Sequence, residues 1–373
     1  MKVLFISAWY PNSSDPLKGV FVKKHAEAIK KAGVDIEVLA LTVSPGKFFK
    51  VRIDTFVDEN GITTHKIEFN SVFYKLIHLD VFIQFGFLKQ LYFKRIKKKF
   101  QPDIIHSNVL YPAAILGYKL AKEENLPHVI TEHWSKVDKF FDKSLYKGIG
   151  KKAYDSARYV TAVSDFLRKS LAKHFRDPSK IWVVPNVVDT DLFSFRTKPN
   201  DTKITFCCVA HWNGVKRPDL IFNSLEQFSK QSGKQISLKV IGEGIYLEKL
   251  KKQKWSFEVC YLGNLQRTEL AEHLQASDYF LHASAIETFS IVIAEALATG
   301  TPVLASNVGA IPELITKGNG LLCENEINSW IKGINALTKT DFDDKRISAS
   351  AQNFGLNEVG NKFLELYELI LSQ

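Results

Sequence analysis

With 373 residues, 45% of them hydrophobic and 24% charged, the chain is too long for one core and too apolar for a disordered polymer, so two globular domains are expected. No apolar run approaches the ~18 residues of a membrane span, and Cys207, Cys208, Cys260 and Cys323 form no CxxC pair, which favours buried free thiols over a zinc site or a disulfide framework. The net charge of +10 is uneven: residues 1–190 carry 31 Lys and Arg against 19 Asp and Glu and the remainder 19 against 21, which points to an anionic partner for the first half.

The opening MKVLFISAWYP reads as a short buried strand. A secretory leader would need a longer apolar core and a small-residue cleavage site, so a cytoplasmic protein is expected. GVFVKKHAEAIKKAG (19–33) has helical spacing and closes on Gly33. DIEVLAL (35–41) is the next strand, and an irregular section follows. Residues 68–93 are crowded with aromatics, which more often form core than binding surface. Beside the basic FKRIKKKF (93–100) they would also make an amphipathic membrane patch. That basic run suits an anionic membrane face or a lipid-phosphate substrate. A solvated helix end would carry the same lysines, and no nucleic-acid recognition motif accompanies them. PDIIHSN (102–108), AAILGYKLAKEEN (113–125), PHVITEH (127–133), RYVTAVS (158–164) and IWVVPN (181–186) then alternate short apolar strands with helices, the pattern of a parallel sheet covered on both faces. His106 ends one of these strands and is a candidate for the acceptor side of a site or, equally, a hydrogen-bonded structural histidine; Glu132, the other acceptor-side candidate, precedes His133 and either orients it or faces solvent.

The polar bridge FRTKPNDTK (195–203) separates this series from a second one: KITFCCVA, ISLKVIGEG, FEVCYLG, DYFLHAS, TPVLASN and GNGLLC. The expected division is therefore 1–195, 196–355 and a closing helix over 356–373, from the helical spacing of NEVGNKFLELYELILSQ. Two doubly wound α/β domains with a cleft between them follow, with ligands at the carboxyl ends of the strands. The segment after the first strand, SAWYPNSSDPLKG, lacks the GxGxxG of a nicotinamide-dependent dehydrogenase. Gly242 and Gly244 form a lone GxG, which a tight turn explains as well. DFDD (341–344) has the DxD spacing of some metal sites but reads as a helix start or a surface acid cluster.

ETFSIVIAE (287–295) sets two carboxylates at the ends of an otherwise apolar segment. The helix there lies near 290–299, with Ser290 as N-cap and Ile291, Val292, Ala294 and Leu297 as its buried surface. Glu287 then stands in the loop before the helix and Glu295 inside it. A helix N-terminus suits a phosphate, and a carboxylate suits a vicinal diol. Acids on either side of a phosphate match a nucleotide-sugar: ribose, diphosphate, hexose. Lys216, in VAHWNGVKRPDLIFNSL, follows the first strand of the second series and could neutralise a diphosphate; a surface lysine is the alternative.

The run YLGNLQRTELAEHLQASDYFLHASAIETFSIVIAEALATGTPVLASNVGAIPELITKGNGLLCEN (261–325) resembles the donor-binding region of the family-four, or group 1, retaining glycosyltransferases of the GT-B fold. Its Glu-x7-Glu pair is that family's most recognisable signature. WVVPNVVDTDLF (182–193) resembles the inter-domain segment and PLKGVFVKKHAEAI (16–29) the first glycine loop. The resemblance implies two Rossmann-like domains facing across a cleft, the first binding a saccharide or lipid-linked acceptor and the second a nucleotide-sugar. It implies sugar transfer with retention of configuration, without metal or cofactor, in polysaccharide or lipid-linked oligosaccharide assembly, with peripheral membrane contact and no nucleic acid. By the same resemblance, Glu287 contacts donor-sugar hydroxyls and Glu295 the ribose. Backbone amides around Phe289, Ser290 and Ile291 approach the sugar and phosphates. Lys216 holds the diphosphate, Gly19 lets the first loop approach it, and His133 lies near the reacting sugar. The departing phosphate takes the acceptor's proton. One departure stands out: the arginine often found five positions before the lysine is His211 here, so Arg217 or the helix amides would have to serve instead. A nucleotide-sugar epimerase of the same architecture and a non-catalytic nucleotide-sugar-binding protein are the competing readings.

Overall fold

Each half of the chain winds a sheet outward from its own first strand. The computed structural model describes residues 1–12, 15, 18–46, 50–72, 77–142, 144–198 and 202–373. The first sheet holds β1 (Lys2–Ser7), β2 (Asp35–Pro45), β3 (Lys50–Val57), β4 (Thr63–Ser71), β5 (Ile104–Asn108), β6 (His128–Glu132), β7 (Tyr159–Ala162) and β8 (Ile181–Val183). Their order is β3-β4-β2-β1-β5-β6-β7-β8. Only the β3–β4 pair is antiparallel. The second sheet holds β9 (Ile204–Val209), β10 (Ile236–Ile241), β11 (Glu258–Gly263), β12 (Tyr279–His282), β13 (Val303–Ser306) and β14 (Gly320–Cys323), all parallel, in the order β11-β10-β9-β12-β13-β14. Strand order reverses between β1 and β5 in the first sheet and between β9 and β12 in the second, the topology of a doubly wound fold. Continuous apolar runs make this possible: Val3 to Ile6 in β1 and Phe206 to Cys208 in β9 have no exposed surface, because helices cover both faces.

One compact unit comprises residues 1–187 with 356–373, the other residues 188–355. The polar bridge over 195–203 thus belongs to the second unit, although 199–201 lie outside the described residues. The closing helix, Leu356–Leu371, joins the first unit, a partner its composition leaves open. It buries Val359, Phe363, Leu366, Tyr367 and Ile370 in one core with Val22, Ala26 and Ile29 of the first helix, Val20–Lys31.

The section expected to be irregular is the β3–β4 hairpin. Its strands escape pattern reading because β3 is a largely exposed edge strand and β4, TTHKIEFNS, mixes polar side chains among its inward-facing residues. The aromatic stretch forms the helix Ile77–Leu91 and a wider turn over Tyr92–Ile96, with 73–76 outside the described residues. Val81, Leu88 and Leu91 are buried, yet Phe82 is 70% exposed. Among the described residues no helix is long and apolar enough to cross a membrane. All four cysteines are free; Cys260 is only half-buried. Asp343 caps the helix Asp344–Ser350 through the Arg346 amide at 3.0 Å, so DFDD is a helix start.

Candidate active site

In the second unit, β9 and β12 flank the point where strand order reverses, and the loops at their carboxyl ends are stitched together. Ala285 N donates to Val215 O at 2.8 Å and Arg217 N to Ala283 O at 3.1 Å, with an antiparallel bridge at Lys216–Ser284. This pairing carries Lys216 to Glu287: the lysine Nζ donates to Glu287 Oε1. The same oxygen lies 2.9 Å from His282 Nε2. Burial raises the Glu287 carboxyl, but the His282 hydrogen bond and the Lys216 charge outweigh it and hold the group down to about 2. Burial, and then Lys216, lower the His282 imidazole. The ring is therefore neutral at pH 7, and to serve a carboxylate it must carry its proton on Nε2. Behind the loop, Gly309 has φ +57°, and a Cβ there would stand 2.1 Å from the Glu287 carbonyl oxygen. Ala310 N donates to that carbonyl at 3.0 Å.

The helix expected after Glu287 runs Ile291–Ala298. Ala294 and Leu297 are buried, Ile291 and Val292 only half so. Ser290 occupies the N-cap position without capping. Its backbone is left-handed, φ 78° and ψ 80°, not the extended form that aims a side chain at the first turn, and its Oγ turns instead to His282 Nε2 at 3.3 Å. The amides of Phe289, Ser290 and Ile291 donate to no protein acceptor among the described residues. The helix therefore begins with open donors beside the Lys216–Glu287 pair. Phe289 itself is buried, its ring 5.4 Å from that of Phe354.

Glu295 is unlike Glu287. It has no exposed surface, Arg267 Nη1 meets its Oε1 at 2.7 Å, and its Oε2 has no protein partner among the described residues. Burial raises this carboxyl, and Arg267 opposes the rise. Glu295 is thus half of an internal ion pair and keeps one oxygen unused. Arg217, considered as a substitute diphosphate cation, turns to the first turn of its own helix, where Nε and Nη2 grip Asp219 at 2.9 and 2.7 Å. His211 is exposed, with Nδ1 3.1 Å from the Glu243 carbonyl oxygen. Lys216 also lines a cavity of about 400 Å³ with Arg217, Tyr246 and Lys249.

Of the first-unit candidates, His106 lies in the middle of β5, Glu132 closes β6 and His133 follows it, and Gly19 lies in the first loop. His133 is 6% exposed, lies 3.4 Å from Asn108 Oδ1, and is lowered by burial and then by His25. Gly19 starts the first helix at φ +64°, where a Cβ would lie 2.2 Å from the Trp9 carbonyl oxygen; the loop's own closure requires glycine there. His106 and Glu132 are not pocket walls. His106 is fully buried, with Nδ1 on Tyr367 Oη at 2.5 Å and Nε2 on Thr131 Oγ1 at 2.7 Å. Glu132, also fully buried, accepts from the Leu110, His133 and Trp134 amides and from Tyr154 Oη, each at 2.9 Å, and so braces the turn that carries His133.

Two residues of the second-unit site escape sequence reasoning. His282 closes β12 directly before the loop to Glu287, a position that could have marked it. Arg267 opens the helix after β11 and carries no local signal of its bond to Glu295. Among the described residues no group of three or more His, Cys, Asp or Glu side chains could hold a metal ion.

Two family models match the chain: Glycosyltransferase Family 4 over residues 19–192 and Glycosyl transferases group 1 over residues 189–354. Among curated relatives, the alpha-monoglucosyldiacylglycerol synthase of Streptococcus pneumoniae is 26% identical over 301 residues, 72% of this chain and 67% of that protein. The putative teichuronic acid biosynthesis glycosyltransferase TuaC of Bacillus subtilis is 23% identical over 340 residues, 86% of this chain and 85% of that protein. Among solved structures, Anabaena HepE in complex with UDP has a TM-score of 0.73 at 18% identity, covering 99% of this chain and 100% of that one.

Proposed function

Because this chain belongs to the group 1 glycosyltransferases, with a first half of the family 4 type, we propose that it transfers a sugar from a nucleoside-diphosphate sugar to a saccharide or lipid-linked acceptor with retention of configuration. The observation that carries this reading is the Lys216–Glu287–His282 cluster, set beside the open amides of the Ile291–Ala298 helix where strand order reverses. A diphosphate at that helix end meets unpaired N–H groups, and Lys216 turns from Glu287 to the phosphate oxygens. Glu287, freed from the lysine and still held by His282, accepts from the sugar hydroxyls. Glu295 Oε2 takes a ribose hydroxyl once Arg267 turns aside. The bond from the anomeric carbon to the phosphate oxygen breaks, and its electron pair leaves with the diphosphate. The acceptor oxygen bonds to the same face of the sugar, and the acceptor proton passes to the departing phosphate. No metal or cofactor enters this scheme.

Cell-surface polysaccharide or glycolipid assembly is the setting we favour. It is supported by the names of the Bacillus and Streptococcus relatives, and by exposed Phe82 on a helix that ends in the basic run, which suits peripheral contact with an anionic inner membrane face. Screening UDP-, GDP- and ADP-sugars by thermal shift tests the donor, since a bound donor raises the melting temperature by mass action. NMR of the product's anomeric configuration tests retention. If no nucleotide-sugar shifts the melting temperature, or if the product is inverted, the reading fails; an epimerised donor formed without acceptor would favour the epimerase.

A further inference from the structure

The first unit carries a cavity of about 510 Å³ that the glycosyl-transfer site does not use. Its floor is polar and crosses three neighbouring strands. His65 of β4, 7% exposed, lies 2.8 Å from Glu37 Oε2 of β2 through Nε2 and 3.1 Å from Thr55 Oγ1 of β3 through Nδ1. Its rim is the basic run: Lys94, Arg95, Lys98 and Lys99 all line it, and all are exposed. None of the four forms an ion pair among the described residues, whereas their neighbour Lys97 pairs with Glu124 at 2.7 Å. Glu37, the only acid in the lining among the described residues, is already engaged by His65.

The position is as informative as the charge. Glu37 and His65 stand near the amino ends of the parallel strands β2 and β4, and Thr55 pairs with His65 across the hairpin. His133 and Glu132 stand at the carboxyl end of β6, the opposite end of the same sheet. Four like charges gathered without acidic partners among the described residues repel one another, and a multiply charged anion relieves that repulsion. Two planar or rotatable donor types, guanidinium and ammonium, suit phosphate oxygens.

We propose that this cavity is a second anion site, for a ligand bearing an anionic phosphate group, remote from the strand ends that carry His133. The ligand is a soluble phosphate compound or a phospholipid headgroup, which share the recognised group. The proposal does not depend on the glycosyl-transfer reading.

Calorimetric titration of the full chain with inorganic pyrophosphate, and sedimentation with phosphatidylglycerol or phosphatidylcholine vesicles, test it. Both are done in a Lys216→Ala background, which under the glycosyl-transfer reading weakens pyrophosphate binding in the second unit and leaves the cavity intact. Adding Lys94→Gln, Arg95→Gln, Lys98→Gln and Lys99→Gln, all exposed and therefore compatible with folding, is expected to weaken pyrophosphate binding about tenfold or more. A melting curve confirms that this variant folds. A headgroup ligand instead shows as binding to phosphatidylglycerol vesicles, displaced by pyrophosphate and reduced roughly fivefold per cation removed. Pyrophosphate or phosphatidylglycerol binding that survives the four substitutions unchanged, or absence of both in the parent, overturns the site. Failure of the glycosyl-transfer reading shows separately, as an unchanged pyrophosphate isotherm on making Lys216→Ala alone.

Discussion

Glu287 and Lys216 meet because two loops are zipped together, and each alters the other's chemistry. The pair explains why a nearly buried carboxylate stays ionised: its neighbours are a cation and a neutral imidazole that donates. A lysine that stabilises a leaving diphosphate is worth ~2.7–4 kcal/mol of barrier, or roughly 10²–10³ in rate. Lys216→Ala is therefore expected to lower kcat/KM by about that factor in a glycosyl-transfer assay, and a loss below about threefold would remove it from the reaction. Residue type and spacing made Glu287, Glu295 and Lys216 legible, since two acids about a helix start and a lysine after a first strand are local patterns. His282 and Arg267 were not legible. Their roles depend on which side chains lie across from them, and nothing in FLHAS or LQRTE records that.

At the level of elements, apolar strands announced themselves and mixed ones did not. β1, β5, β9 and β13 are runs buried on both faces, whereas the β3–β4 hairpin is stabilised by pairing that its composition does not advertise. The helix after Glu287 was legible, but its first turn was not: Ser290 looks like a cap in the sequence and is a left-handed residue in the structure. Shape at that turn comes partly from Gly309, whose missing side chain leaves room for the Glu287 carbonyl. Gly309→Ala should cost about 1–3 kcal/mol through the left-handed backbone and the overlap. It should lower activity further by displacing Glu287. Thermal melts and kcat/KM measured together check this; wild-type values for both would show that the loop does not depend on glycine.

Across the whole molecule, buried histidines concentrate in the first unit. Burial lowers His25 to about 4 and His128 to about 3, and it lowers His106 and His133 as well. Each is neutral when folded and takes up a proton more readily when unfolded. Their contribution is complete above the unfolded value of 6.5 and is lost as pH falls toward the folded values. Between 6.5 and about pH 5, His25 and His128 alone should each withdraw about 2 kcal/mol. Melting temperature followed from about pH 7.5 to 5 is expected to drop, and His128→Asn should flatten the drop; a flat profile in the parent would refute the reading.

Because Leu356–Gln373 completes the core begun by the first helix, the second unit is an insert within the first. On the ribosome, residues 1–187 must therefore wait for residues 356–373 to emerge before their hydrophobic surface is covered, while the insert can fold ahead of them. Nascent chains stalled just short of residue 356 should bind holding chaperones through the portion that was synthesised first.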